Sequence, residues 1–229
     1  MGTYLILTLL GLLIGSFISA VTYRIPRGLG FVKGRSFCDN CKTNLRWYDN
    51  IPLFSFLLLG GKSNCCGQKI SVRYPLIEVT TAIGFISLYL YSFSFIYYLL
   101  FTISLVIFVI DLEYQIIPDE LSWFILLLGL ILNFSFVNIF AGFLFSLLLL
   151  ILYLITAGRG MGLGDVKLAI SLGVILGLKN GVTWIVTSFI LGGIIASILL
   201  ILKRAKLKTK IAFGPFLIFA FWLTLLIYG

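Results

Sequence analysis

Two aspartates at the edges of apolar runs are the first candidates for chemistry. Asp111 closes the run LLFTISLVIFVID, and Asp165 lies in the glycine-rich turn GRGMGLGDVKL between two hydrophobic stretches. An ionisable group beside a transmembrane segment is costly to hold there, so it is a functional candidate whose partner should be sought. Each aspartate is the other's best candidate partner, which predicts acid–base chemistry at a membrane surface.

The positions of these two aspartates are harder to explain structurally than those of most other acids. Asp119 and Glu120 follow a proline and open a helix, where capping and first-turn roles account for them. Glu78 lies at the start of another predicted helix, where the helix dipole favours an acid. Asp111 ends a helix, where the dipole disfavours an acid, and its simplest alternative is a helix end that reaches water. Asp165 has an alternative role as the N-cap of the next helix.

Glycines surround Asp165 and favour a functional interpretation of this turn. Gly162 and Gly164 carry no side chain, so another backbone can approach them closely, and both are predicted to contact substrate. A phosphate-binding loop fits poorly, because the GxxxxGK[ST] spacing is absent and Asp165 would repel a phosphate.

The reaction class is narrowed by what the chain lacks. It contains no histidine, which excludes Ser-His and Cys-His nucleophiles and the ligand sets of most catalytic zinc sites. Two carboxylates held close together cannot both ionise cheaply, so one of them keeps a proton. The ionised carboxylate can then take a proton from an attacking water, while the protonated one donates a proton to the group under attack and later to the leaving group.

Composition predicts an all-α polytopic membrane protein. Of 229 residues, 61% are hydrophobic and 11% are charged, and the apolar runs approach the roughly 20 residues that span a bilayer. The runs predict about eight transmembrane helices, at 3–21, 76–92, 95–112, 120–136, 138–157, 166–179, 182–202 and 211–228. Small residues in the first helix would let a neighbouring helix pack closely.

Basic residues set the predicted orientation. All 17 Lys and Arg residues except Lys179 fall in 22–75, 158–167 and 203–210, which lie on one side if there are eight helices. The positive-inside rule places these segments in the cytoplasm, both termini outside, and Asp111 and Asp165 at the cytoplasmic face. The net charge of +9 then follows mainly from topology, and no nucleic-acid partner is needed to explain it.

Four cysteines lie in the one long polar segment. The chain divides into a retained first helix (1–21), a cytoplasmic domain (22–75) and a membrane domain (76–229). Cys38 and Cys41 form a CxxC pair, and Cys65 and Cys66 follow after 23 intervening residues, a pattern similar to a small zinc ribbon. Adjacent cysteines do not have CxxC geometry, and Ser63 stands where a CxxC ending at Cys66 would begin. A structural zinc bound by Cys38, Cys41, Cys66 and, in a four-ligand site, Cys65 is predicted; reduced structural thiols are the alternative.

At these residues the chain resembles a known family. The block GLGDVKL at 162–168 resembles the GxGD signature of intramembrane aspartyl proteases, and IDLEYQIIPD at 110–119 looks like the partner motif of the prepilin peptidases, or type IV leader peptidases. Further similarity covers residues from about 11 to 175 in order, through the blocks GSF, RIP, the CxxC pair, WYDNIP and SVRYP.

The resemblance implies an activity, partners and a location. The catalytic pair would be Asp111 and Asp165, in an endopeptidase that removes the short basic leader of type IV prepilins or pilin-like proteins after a glycine, at the cytoplasmic face of a bacterial plasma membrane. Many family members also N-methylate the new terminus with S-adenosylmethionine. Ser19 stands where relatives often carry Asn, and Ser63 replaces an expected Cys; these departures bear on methylation and the zinc site but not on the protease motifs.

Two other classes of function compete with this interpretation. A small ion or proton-coupled transporter would explain the two lone carboxylates and the polytopic core, but not the cysteine segment or the order of the motifs. A membrane scaffold organised by a zinc ribbon would leave the aspartate pair unexplained.

Overall fold

The computed structural model describes residues 2–30, 36–38, 40–158, 160–203 and 211–228. The predicted all-α fold is confirmed for this part of the chain, whose helices are α1 (Gly2–Arg24), α2 (Phe54–Leu58), α3 (Arg73–Leu90), α4 (Phe95–Tyr114), α5 (Asp119–Leu132), α6 (Phe136–Ile155), α7 (Leu163–Ile201) and α8 (Gly214–Tyr228). Short 3-10 turns occur at Ile25–Arg27 and Trp47–Asn50. Seven of these helices, all except the short α2, correspond to the predicted ones, with two predicted helices joined in α7.

Among the described residues, four stretches are long and apolar enough to cross a membrane: Gly2–Arg27, Phe95–Tyr114, Phe136–Ile155 and Leu163–Ile201. The chain is therefore a helical membrane protein, but eight crossings are not confirmed. The helices α5 and α8 have 14 and 15 residues, shorter than the roughly 20 that span a bilayer without adjustment. Of the basic residues used for the predicted orientation, Lys33, Arg35, Arg159 and those in 204–210 lie outside the described residues.

Helix α7 covers both predicted helices, 166–179 and 182–202, but it breaks inside the first of them and not in the predicted gap at 180–181. Its 39 residues correspond to about 58 Å of continuous helix, roughly twice the thickness of a bilayer core. Gly177 interrupts it with φ 66° and ψ −173°, a conformation that only glycine adopts readily. The Asn133 side chain donates to the carbonyl of Ile175 at 3.1 Å and satisfies a backbone group at the break.

The chain divides into two compact units, Met1–Val106 and Ile107–Gly229, with the boundary inside α4. In the first unit, α1 packs on α3 through small residues, as expected from the sequence. A Cβ atom on Gly11 would lie 2.5 Å from Ala82 Cα, and one on Gly15 would lie 2.5 Å from Glu78 Cα. Such close backbones are possible only without side chains at these positions.

In the second unit, α7 packs against α5, α6 and α8. Buried polar side chains link α7 to each neighbour: Ser171 Oγ donates to the Ser122 carbonyl at 2.8 Å, Ser146 Oγ to the Val166 carbonyl at 2.9 Å, and Trp184 Nε1 to the Leu217 carbonyl at 2.8 Å. Two of these bonds hold the first turns of α7, which carry Asp165.

Candidate active site and metal centre

Asp111 lies one turn before the end of α4. Its side chain is only 5% exposed, so the alternative of a helix end that reaches water is wrong. The helix ends at Tyr114, and Gln115 follows with φ 56° and donates its N–H to the Asp111 carbonyl at 2.9 Å. This left-handed residue turns the chain away from α4. The Asp111 carboxyl is thereby left inside the fold.

Asp165 is the third residue of α7. The N-cap of that helix is Gly162, and Asp165 Oδ2 accepts a hydrogen bond from the Gly162 N–H at 3.0 Å. The alternative that Asp165 is itself the N-cap is therefore wrong, although its side chain does satisfy a backbone donor at the helix start. Asp165 is 5% exposed, like Asp111.

One cavity of about 190 Å³ brings the two aspartates together. Both carboxyl groups line this cavity. Asp111 Oδ2 and Asp165 Oδ1 are buried and have no hydrogen-bond partner among the described residues. Buried polar atoms are nearly always paired, so two carboxylate oxygens that face one cavity without a protein partner mark it as a place where a polar group can bind. Water or a peptide carbonyl has the chemistry to pair with them.

The glycines of the GxGD turn line the same cavity. A Cβ atom on Gly164 would lie 2.8 Å from Ile117 Cβ, which is closer than side chains approach, whereas one on Gly162 would lie 3.6 Å from Asp165 Oδ2, an ordinary contact. Gly164 therefore lets the start of α7 pack against Ile117, and Gly162 leaves open space beside Asp165.

Sequence reasoning missed a third part of the site. The segment 211–213 lines the cavity, and Gly214 at the start of α8 lies against Asp111. The only sequence signal was the Gly214-Pro215 pair at a helix start, where proline is common.

An exposed ion pair joins α7 to α5 near the site. Lys167 Nζ on α7 lies 2.7 Å from Asp119 Oδ2 at the start of α5. The predicted first-turn position of Asp119 is confirmed.

The cysteines lie in two turns of matching geometry in the first unit. Phe37 pairs with Asn44, and Lys62 with Lys69, each as an isolated antiparallel bridge. Within these turns the Cys38 N–H donates to the Thr43 carbonyl at 2.9 Å and the Ser63 N–H to the Gln68 carbonyl at 2.8 Å. In both cases the acceptor is five residues further along the chain, so Ser63 occupies the place equivalent to Cys38, and Cys66 the place equivalent to Cys41.

All four sulfur atoms come together. They lie within 4.8 Å of one another, with Cys38 Sγ 3.7 Å from Cys66 Sγ and Cys41 Sγ 3.0 Å from Cys65 Sγ. Tetrahedral zinc with Zn–S bonds of about 2.3 Å holds its sulfurs about 3.8 Å apart, so the cluster could hold a metal ion of this size. Ser63, at the place equivalent to Cys38, has no sulfur atom. The fourth sulfur of the cluster comes from Cys65, the residue before Cys66.

The protonation of the thiols differs within the cluster. The backbone N–H of Cys41 and the Ser63 hydroxyl lower the pKa of the Cys38 thiol to about 6. The hydrogen bond with Cys41 raises the pKa of Cys65 to about 12. A thiolate is the form that ligates a metal, and Cys38 already favours that form.

The fold and cavity define a class: a helical membrane protein with two buried aspartates in one site. Residues 9–92 match the bacterial peptidase A24 N-terminal domain, and residues 97–197 match the type IV leader peptidase family. A prepilin leader peptidase/N-methyltransferase of Pseudomonas aeruginosa is 35% identical over 95% of this chain and 88% of its own length. Proteins with the same description from Neisseria gonorrhoeae (34% identical, over 93% of this chain and 87% of their own length) and Klebsiella pneumoniae (35%, 77% and 85%) also match.

The chain belongs to the type IV leader peptidase family, as its motifs suggested. No solved structure matches it.

Proposed function

We propose that this protein is an aspartic endopeptidase that removes the basic leader of type IV prepilins or pilin-like proteins after a glycine, with Asp111 and Asp165 as the catalytic pair. One observation carries the assignment of the pair. Both carboxylates are buried in a single cavity, and each keeps one oxygen without a hydrogen-bond partner among the described residues. The membership of the chain in the type IV leader peptidase family supports the reaction.

The reaction needs one ionised and one protonated carboxyl group. Two carboxyl groups in one buried cavity favour a single shared negative charge, because like charges held close to each other are unfavourable. The ionised group removes a proton from water as the water oxygen attacks the carbonyl carbon of the leader peptide bond. The protonated group donates to the carbonyl oxygen, and a proton then passes to the leaving amine. The two oxygens without a protein partner, Asp111 Oδ2 and Asp165 Oδ1, are the atoms proposed to exchange protons with the water and the substrate.

Gly162 and Gly164 are proposed to admit the extended peptide. Both line the cavity, and backbone without side chains lets a substrate strand come close to Asp165. At Gly164 the Cβ direction is occupied by Ile117, so substrate would meet this residue on its other side.

The cysteine cluster is proposed to bind a structural zinc through Cys38, Cys41, Cys65 and Cys66. The sulfur positions support it. The ion would stabilise the cytoplasmic domain at 22–75, where the described loops have little apolar core. In this arrangement the domains are 1–21, 22–75 and 76–229, and the metal takes no part in the cut.

A methyl-transfer activity is proposed as the second reaction. The relatives are described as leader peptidases and N-methyltransferases, which supports methylation of the new N-terminus with S-adenosylmethionine. Ser19 is buried in α1 and donates to the Gly15 carbonyl at 3.1 Å, so its hydroxyl is bonded within its own helix.

The proposed location is a bacterial plasma membrane, with eight crossings and both termini outside. Single cysteines at 159 and 180, in a chain lacking its four native cysteines, test this topology. A membrane-impermeant thiol reagent added to whole cells should label position 180 and leave position 159 protected. The reverse labelling would invert the orientation and rule out cleavage at the cytoplasmic face.

Incubation of the purified protein in lipid nanodiscs with a pilin-like precursor tests the activity. Mass spectrometry should show a new N-terminus directly after the glycine at the leader junction. The matched control is the same precursor with that glycine replaced by valine, which should stay intact. A wild-type protein that leaves the first precursor uncut, while it is folded and metal-loaded, would favour the transporter interpretation.

A further inference from the structure

We infer that Gly214, the first residue of α8, is a positioning residue for Asp111: its missing side chain leaves the space that the Asp111 carboxyl occupies, and its backbone faces that carboxyl. The inference rests on the proposed catalytic role of Asp111. It assigns α8 a part in the site, although Gly214 lies outside residues 97–197, which match the family.

The steric observation comes first. A Cβ atom on Gly214 would lie 2.5 Å from Asp111 Oδ2, 3.2 Å from Asp111 Cγ and 3.1 Å from Ile117 Cδ1. A separation below 3.0 Å is one that real Cβ atoms essentially never show. The backbone of Gly214 is not left-handed, so glycine is not required there by its φ angle. Space for the carboxyl group is therefore the reason for a glycine at this position.

A glycine at a helix start lies beside each aspartate. The Gly162 N–H donates to Asp165 Oδ2 at 3.0 Å from the start of α7, and the Gly214 N–H faces the Asp111 carboxyl from the start of α8. The first N–H groups of a helix have no partner within the helix and suit a carboxylate. Each aspartate thus meets the N–H of a glycine at a helix start and keeps one oxygen free for the reaction.

The contacts around Gly214 hold its backbone in place. Gly214 is buried, and α8 is tied to α7 by the bond from Trp184 Nε1 to the Leu217 carbonyl at 2.8 Å. The Phe213 ring packs on Phe189 with centroids 5.0 Å apart. Pro215 fixes φ directly after the glycine. The backbone at 214 is therefore located by packing in α7 and α8, independently of the GxGD turn.

The test is Gly214→Ala, with Gly193→Ala as the matched control, since a Cβ atom on Gly193 meets nothing within 4 Å. The added methyl should swing the Asp111 carboxyl away. We expect kcat for precursor cleavage to fall about tenfold or more and the pH profile of kcat to change, with KM and Tm within error of the Gly193→Ala protein. Wild-type kcat and pH profile in Gly214→Ala would overturn the inference.

Disulfide trapping tests the geometry without cleavage, and covers the case in which Gly214→Ala does not fold. Asp111→Cys combined with Gly214→Cys should form a 111–214 disulfide on mild oxidation in membranes, located by mass spectrometry, because a thiol at position 111 is smaller than the native carboxyl and relieves the clash. Asp111→Cys with Gly193→Cys should form none. Absence of the 111–214 disulfide would overturn the inference. Cleavage that persists in Asp111→Asn would instead overturn the proposed function, whatever the disulfide result.

Discussion

The cysteine cluster of the first unit and the aspartate site of the second differ in exposure and in the secondary structure that holds them. Three of the four cysteines are exposed, and the four lie in two short turns held mainly by hydrogen bonds within each turn. The two aspartates are 5% exposed and belong to long helices. The packing of α7 against α5, α6 and α8 holds Asp165, and Asp111 lies against Gly214 at the start of α8. Hydrogen bonds within each turn hold the cysteines.

The two sites therefore depend on different sources of stability. The helices of the second unit can hold two buried carboxyl groups beside one cavity, because the packing of the helices compensates for the cost of burying them. The turns around the cysteines have little packing of their own, so a metal would supply folding free energy there. Loss of an aspartate should therefore reduce activity, and loss of a cysteine should reduce stability.

The largest expected effect is that of Asp111→Asn or Asp165→Asn. The amide has the shape of the carboxyl but cannot take up or share the proton, so cleavage should fall by about 10²–10⁴-fold or more. Membrane insertion, metal content and Tm should stay at wild-type values. A cleavage assay with the purified variants measures the loss of activity, and metal analysis checks that the metal content is unchanged. Substantial turnover by either variant would remove that aspartate from the mechanism.

The next effect belongs to the metal site. Cys38→Ser should lower the zinc content of the purified protein and lower its Tm by roughly 5–10 °C, with a smaller change in kcat than in the aspartate variants. Wild-type protein without bound zinc would reject the site.

Exchange of two side chains sharpens the same prediction. Cys65→Ser alone should lose zinc affinity, whereas Cys65→Ser with Ser63→Cys should restore it, because Ser63 occupies the place equivalent to Cys38 in the second turn. Wild-type zinc content in Cys65→Ser would show that Cys65 is not a ligand, and equal loss of zinc in both variants would show that position 63 cannot replace it.

Gly164→Ala and Gly162→Ala separate packing from open space in the GxGD turn. A methyl group at 164 meets Ile117 Cβ at 2.8 Å, and one at 162 meets only an ordinary 3.6 Å contact. We expect cleavage to fall about tenfold for Gly164→Ala and less than about threefold for Gly162→Ala, by the cost of overpacking near the site. Adding Ile117→Val to Gly164→Ala shows whether relief of that contact restores activity; if it does not, the peptide path is the reason for the glycine.

The sequence was sufficient for the features that depend on local pattern. The charges of Asp111 and Asp165 stand out against apolar runs, and the CxxC spacing is visible by itself. The lengths of the apolar runs placed the helices within a few residues. The predicted gap between the two helices that α7 joins was 180–181, whereas the break lies at Gly177, inside the predicted helix 166–179. The burial of Asp111 was not predictable from its place at a helix end, because it depends on the turn at Gln115.

Other features depend on contacts between distant segments. Gly214 acts on a residue far earlier in the chain, and a Gly-Pro pair at a helix start looks like ordinary capping. The equivalence of Ser63 and Cys38 appears only in their matching hydrogen bonds. The joint position of all four sulfurs, which adjacent Cys65 and Cys66 made doubtful, follows from the folding of the second turn towards the first.

The smallest expected effect comes from the acid that lies near the site but is exposed. Asp119 and Lys167 form their ion pair with side chains 54% and 46% exposed, and such pairs contribute only about 0–1 kcal/mol because water and salt screen them. Asp119→Asn and Lys167→Met should each shift the free energy of unfolding by less than about 1 kcal/mol. A double-mutant cycle at low and high salt isolates the pair, and its coupling energy should shrink as salt rises. Cleavage should stay within about threefold of wild type, since neither side chain lines the cavity with Asp111 and Asp165. If Asp119→Asn instead abolished cleavage without unfolding the protein, burial would no longer distinguish the catalytic acids from their exposed neighbours.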